Sequence, residues 1–196
     1  MYKNQLDIIY NKRILIVAQN FNIGGVQKYS MQLIESLSNY KIVILTEIDV
    51  PEESIKKLNI ICQKIEIYNI NSFDFSEEKF EYAFLNSFPV EKKSLETLIY
   101  KLSEYDCKIF PIVHTDVHAF TREISYFLNY FSGIITVADV IIKKLIINTG
   151  QDISKKAHLI TPVLDKNKEI GKQQKSKIKR SRKIGYFGRI VGIKGV

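Results

Sequence analysis

At 196 residues, the chain has room for one domain of about 160 to 180 residues with a substantial core, plus a tail. Its apolar and charged fractions, 45% and 26%, are those of a globular protein and exclude a disordered or fibrous one. The net charge of +8 has a single source: Lys166 to Lys183 carries nine Lys or Arg against one acid, Glu169, and the rest of the chain has twenty of each sign. That balance argues against nucleic acid as a partner, because no basic face spreads over the fold.

The polar start and the short apolar run from Ile14 to Ala18 match neither a signal peptide nor a membrane span. Residues Arg13 to Gln19 (RILIVAQ) form a β-branched run that predicts a buried strand. Gly24-Gly25 then opens a stretch with Val26, Tyr29, Leu33, Ile34 and Leu37 on one helical face. A second buried run follows at Lys41 to Thr46 (KIVILT), which makes a βαβ unit with a right-handed crossover.

The alternation continues. Strands are expected at Ile65 to Ile70, around Phe80 to Phe88, and at Lys108 to Val113, Gly133 to Val137 and His158 to Thr161. Helices are expected at Lys93 to Tyr105, Glu123 to Phe131 and Asp139 to Ile147, with Asp139 as N-cap and Asn148 and Gly150 ending the last one. Cys62 and Cys107 are isolated, with no metal-like spacing, and read as reduced thiols in a cytosolic core. Alternating apolar strands and helices predict an α/β fold with a doubly wound, mostly parallel sheet.

Past the first domain, residues 1–165, the segment 166–183 lacks apolar periodicity and reads as a solvated basic linker. It also admits peripheral contact with an anionic membrane, worth about 1 kcal/mol per basic residue near the surface. Residues 184–196 then start a new strand, Ile184 to Phe187, which enters a loop holding Arg189 and Lys194 between Gly188 and Gly195. A parallel strand needs a sheet covered on both faces, so this stub predicts a second, truncated α/β domain, or a partner chain that supplies it.

In open parallel sheets, ligands gather beyond the carboxyl ends of the strands. Three features belong there. Around Gly24 and Gly25 the bare backbone can approach a ligand, and the helix that follows offers N–H groups to an anion, although this is no GxGxxG fingerprint. His114 follows the strand KIFPIV, where it can donate a hydrogen bond to an oxyanion or a hydroxyl. Its His-x-Asp-x-His spacing, Asp116 and His118 included, lacks the further ligand cluster that a metal site needs. Arg189 and Lys194 are a pair of cations suited to a diphosphate.

The glycine loop in GGVQKYSMQLIESL, the histidine in PIVHTD, ITVADVIIKKLI followed by HLITPVLD, and the GR-x4-KG element of IGYFGRIVGIKG together resemble the family 4 type of retaining GT-B glycosyltransferases. The resemblance runs along nearly the whole chain. It implies that residues 1–165 are the N-terminal, acceptor-side Rossmann-like half and that the stub begins the C-terminal, donor-binding half. It also implies that Gly24 and Gly25 sit near the donor phosphates, that His114 lines the reaction centre, and that Arg189 and Lys194 stabilise the departing diphosphate. No cofactor and no metal are implied, only a nucleotide-diphosphate sugar as donor and an acceptor of unspecified kind.

The chain departs from the family pattern at three places. It stops before the paired-glutamate motif, Thr161 stands where an Asn is frequent, and Gln27 stands where an acid is frequent. The expected function is therefore sugar transfer in the cytoplasm by the full-length parent, with this chain alone incomplete and inactive. The alternative is a non-catalytic transferase-like module that binds a partner subunit or an acceptor.

Overall fold

Uninterrupted β-branched runs that cannot expose either face to water must be covered on both sides, and the architecture follows from that requirement. In the computed structural model, which describes residues 13–21, 25–76, 78–86, 92–115 and 118–161, the strands are β1 (Arg13–Ala18), β2 (Lys41–Thr46), β3 (Ile65–Asn69), β4 (Tyr82–Leu85), β5 (Lys108–Val113), β6 (Ile134–Thr136) and β7 (Ala157–Leu159). The helices between them are α1 (Gly25–Ser36), α2 (Glu52–Ile61), α3 (Lys92–Glu104), α4 (His118–Phe127) and α5 (Asp139–Thr149). All described residues fall in one compact unit, Met1–Pro162.

The strands form one seven-stranded sheet in the order β3-β2-β1-β4-β5-β6-β7. Every neighbouring pair is parallel, from Arg13 opposite Lys41 in β1 and β2 to Ile134 opposite Ala157 in β6 and β7. The period-2 pleat sorts the side chains by face. Leu15, Val17, Val43, Leu45, Ala83, Leu85 and Ile109 point to the side covered by Leu95, Leu98 and Ile99 of α3, Ile124 of α4 and Leu145 of α5. Ile14, Ile16, Ile42 and Ile44 point to the other side, under Ile34 of α1 and Leu58 of α2. This is the doubly wound, Rossmann-like α/β fold that the sequence predicts.

Three local expectations need correction. Helix α2 was not anticipated, because its apolar stripe is narrow; surface pairs Glu52–Lys56 and Glu53–Lys57 at 2.8 and 2.6 Å support it instead. Helix α4 begins at His118 and ends at Phe127, earlier than the expected 123–131. The chain turns there, with Tyr130 N donating to Phe127 O, and the sheet claims Phe131 through a bridge to Ile109. Asp139 is the first helical residue rather than the cap; Ala138 is the N-cap, in an extended conformation, and Asp139 places its carboxylate at the positive end of the helix. Gly150 ends α5 as expected, at φ +66°, with its N–H on Ile146 O. Cys62 and Cys107 are both buried and unpaired, and burial pushes the Cys107 thiol up to about 12.

The linker 166–183 and the strand and loop of 184–196 lie outside the described residues. Leu15 sits fully buried on central strand β1. Leu15→Ala is therefore expected to cost about 2–5 kcal/mol through lost burial and a residual cavity. Urea unfolding would measure it, and a loss under about 1 kcal/mol would mean that the layer of α3, α4 and α5 closes over the gap.

Candidate functional site

The sheet winds in opposite directions on either side of the β1–β4 pair: β2 and β3 lie beyond β1, and β5 to β7 beyond β4. A crevice opens at such a reversal because the connections leave it on opposite faces. Gln19, Asn86 and His114 are the first residues after β1, β4 and β5, so the topology delivers all three to its rim. With Val26 and Gln27 of α1, and with Ile112, Val113 and Thr115, they line a cavity of about 310 Å³.

Several contacts fix the walls. Asn86 N donates to Val17 O at 2.9 Å, which carries the β1–β4 ladder one residue past the strand end. On the far side of β1, Ser54 of α2 donates to Phe21 O at 3.0 Å and Ile48 N donates to Gln19 O at 3.3 Å. Gln27 Nε2 donates to Asn20 Oδ1 at 3.0 Å and ties the first turn of α1 to the chain leaving β1. The helix begins at Gly25, and a Cβ added there would meet no atom within 4 Å. The space beside this helix start is open, and first-turn N–H groups have no partner within their own helix.

His114 is half-buried. Its Nε2 lies 2.6 Å from Asn86 Oδ1, and its ring meets Tyr29 edge-on, with centroids 5.0 Å apart and planes at 82°. Tyr29 is itself fixed by packing on Ile112 and Ile135. Burial lowers the His114 pKa from 6.5 to about 4, so the ring is neutral at pH 7. At the other end of its side chain, Asn86 contacts Ser30 Oγ and, at 3.4 Å, Val26 O. Asn86 and Ser30 are both fully buried.

His114 and the first turn of α1, through Val26 and Gln27, thus stand on one cavity, with Gly25 next to them in the chain. Gly24, Arg189 and Lys194 lie outside the described residues, as does Asp116. Among the described residues, no group of three or more His, Cys, Asp or Glu side chains is placed to hold a metal ion. Sequence reasoning missed Asn86 and Ser30. An asparagine after an apolar strand reads as a turn residue, and a serine inside a helix has no marked role. A second hollow, of about 280 Å³, lies between Ile70–Phe75 and α3 and shares no residue with this cavity.

No protein-family model and no curated protein sequence matches the chain. In structure it is similar to HepE of Anabaena in complex with UDP and glucose, at a TM-score of 0.60 and 12% identity. The similarity covers 79% of this chain and 45% of that one, so the chain spans less than half the length of the HepE chain. At this identity the likeness is one of fold: the seven-stranded unit matches a half domain of the GT-B type. A Rossmann-fold NAD(P)-binding family protein from Shigella flexneri has a TM-score of 0.41 at 10% identity, over 65% of this chain and 67% of that one. HmdII from Desulfurobacterium thermolithotrophum has a TM-score of 0.40 at 14% identity, over 76% and 54%. Neither is similar enough to carry an argument. Among the described residues no helix is long and apolar enough to cross a membrane.

The depressed His114 pKa gives a stability effect with a definite sign. The folded value, about 4, lies below the unfolded value near 6.5, so the unfolded chain takes up the proton first. The contribution is fully present above pH 6.5 and is lost as pH falls from there through 4. His114→Gln is therefore expected to unfold with a weaker pH dependence than the parent between pH 6.5 and 4, and with the same dependence above 7. Parallel curves over the whole range would mean that the ring is solvated.

Proposed function

We propose that the chain is the acceptor-side half, with the start of the donor-side half, of a retaining GT-B glycosyltransferase that moves a sugar from a nucleotide-diphosphate sugar to an acceptor. The observation that carries this reading is the cavity at the reversal of the sheet, where His114 and the N-terminus of α1 face one space. The fold likeness to HepE, whose complex holds UDP and glucose, supports it. Those two molecules are the parts of a nucleotide-diphosphate sugar.

In the transfer, the bond from the anomeric carbon to the diphosphate oxygen breaks, a bond to the acceptor oxygen forms as the acceptor hydroxyl gives up its proton to the departing diphosphate or to water, and negative charge collects on the leaving diphosphate as the bond to it breaks. Preorganised donors aimed at that charge lower the barrier. In this reading Gly24 and Gly25 let the backbone approach the diphosphate at the start of α1. Arg189 takes its oxygens in a fork and Lys194 adds a point charge. These two cations supply the charge stabilisation, so the reaction needs no metal. His114 lines the space next to the transferred sugar, where a neutral ring contacts hydroxyls without adding a charge. Both substrates must be held in register for transfer, so turnover belongs to the protein that carries both halves.

The test is titration of the isotope-labelled chain with UDP plus glucose, followed through its amide resonances. Shifts are expected at Gly24 to Gln27, Asn86, His114 and Thr115, and at Arg189 and Lys194, and they should persist in EDTA. NADH producing the same shifts, or no response at millimolar UDP and glucose, would overturn the reading. In the enzyme carrying both halves, Lys194→Ala is expected to lower kcat by about 10²-fold or more, the usual loss for one such donor. An unchanged kcat would remove Lys194 from the chemistry.

A further inference from the structure

The hydrogen bonds beneath His114 determine which ring nitrogen bears the proton. Asparagine's amide oxygen and nitrogen are told apart only through their partners, and here the partners decide. The Val26 carbonyl can only accept, so the Asn86 atom facing it at 3.4 Å is the amide nitrogen. Ser30 Oγ lies 3.1 Å from the same carbonyl and donates its one proton there. Its lone pairs then accept from the Asn86 amide. Both amide hydrogens are thereby used toward α1, and Oδ1 is left facing His114 Nε2 at 2.6 Å. An amide oxygen only accepts, so Nε2 carries the hydrogen and donates it.

We propose that Asn86, held by Ser30 and the Val26 carbonyl, is a positioning residue that fixes His114 as the Nε2–H tautomer and so offers Nδ1 to the ligand as a hydrogen-bond acceptor. The ligand group that fits is a sugar hydroxyl. An oxyanion is excluded, because the ring's one proton is committed to Asn86 and Nδ1 brings only a lone pair. This replaces the donor role that the position of His114 in the sequence suggests. The identity of the ligand rests on the glycosyltransferase reading; the tautomer does not. Tyr29 complements the device, since its edge-on contact sets the ring plane while Asn86 sets the proton.

The imidazole nitrogen resonances of the labelled full chain, at pH 7, provide the test. A proton-bearing Nε2 and a bare Nδ1 are expected for His114, and the reverse assignment overturns the proposal. In Asn86→Ala, the two nitrogen shifts are expected to converge as both tautomers become populated, with the amide spectrum of β2 and β3 unchanged. A ring that keeps the single Nε2–H signature in that variant would show that Asn86 does not position it. If Asn86→Ala does not fold, Ser30→Ala serves in its place, with the same convergence expected to a smaller degree and unchanged shifts counting against the proposal.

UDP plus glucose then separates the two readings. If the amides of Gly25 to Gln27 respond and the Nδ1 resonance moves with them, the acceptor role stands, and Asn86→Ala should weaken glucose binding about tenfold, the upper worth of one hydrogen bond. If the amides respond and Nδ1 does not, the acceptor role is overturned while the glycosyltransferase reading survives. If nothing responds, the glycosyltransferase reading and the sugar-acceptor role fail together, and the tautomer measurement still decides the positioning role by itself.

Discussion

The reversal of strand order between β1 and β4 is the constraint on which the rest of the molecule depends. Each right-handed crossover places its helix on one face of the sheet, and the two halves of the sheet, β2–β3 and β5–β7, wind away from the central pair. No helix can then lie over the carboxyl ends of β1 and β4. The gap is a product of chain topology, and no bulky or strained residue is needed to prop it open. What the sequence adds is the identity of the residues that end the strands there, Gln19, Asn86 and His114. Helix α2, far from the cavity in sequence, contributes by holding Phe21 O through Ser54, which restrains the exit from β1.

Much of this architecture is legible in the chain. RILIVA, KIVILT and KIFPIV are too apolar to face water on either side, and both cores pack on them. The helical face running through Val26, Tyr29, Leu33 and Ile34 was equally plain, and it places Tyr29 against Ile112 and Ile135. His114 stood out because it directly follows the buried strand KIFPIV, where ligands gather in open parallel sheets. Helix α2 did not, since its apolar stripe is narrow: only Leu58 among its residues is buried, and Ile60 is 83% exposed. The early start of α4 was equally hidden. Nothing local indicates that Phe131 belongs to the sheet rather than the helix, because its bridge partner, Ile109, lies on another strand.

Asn86 illustrates a different limit. It stands 28 residues from His114 and 56 from Ser30, and no spacing rule connects the three. They become neighbours only once β4 is known to lie between β1 and β5. The one signal available was positional: Asn86 and His114 are each the first residue after a buried strand, and with Leu85 opposite Pro111 in the β4–β5 pairing, His114 lies two residues beyond the position opposite Asn86, on the same face of the pleat. A search for polar residues at the first position after every buried strand would have found both. Gly25 was legible as bare backbone opening a helix, and the structure places it as the first residue of α1 beside open space. Its lack of a side chain matters there for what can approach the helix.

The energetics of the Asn86 network bear on why it exists at all. Asn86 and Ser30 are 1% and 0% exposed, and a buried polar group loses its water on folding. A satisfied hydrogen bond returns only about 0.5–1.5 kcal/mol net, whereas an unsatisfied buried group costs about 1–3 kcal/mol. Apolar residues of similar volume at both positions would therefore hold the fold about as well, without the risk of an unmatched partner. Stability alone gives no reason to place a serine, an amide and an imidazole in series beneath a cavity. Orientation does, because each member has its donors and acceptors assigned by the one before it, starting from a backbone carbonyl that can only accept. The direction of the chain ends at His114, the one of the three side chains that is only half-buried and so the one through which that order can reach a ligand.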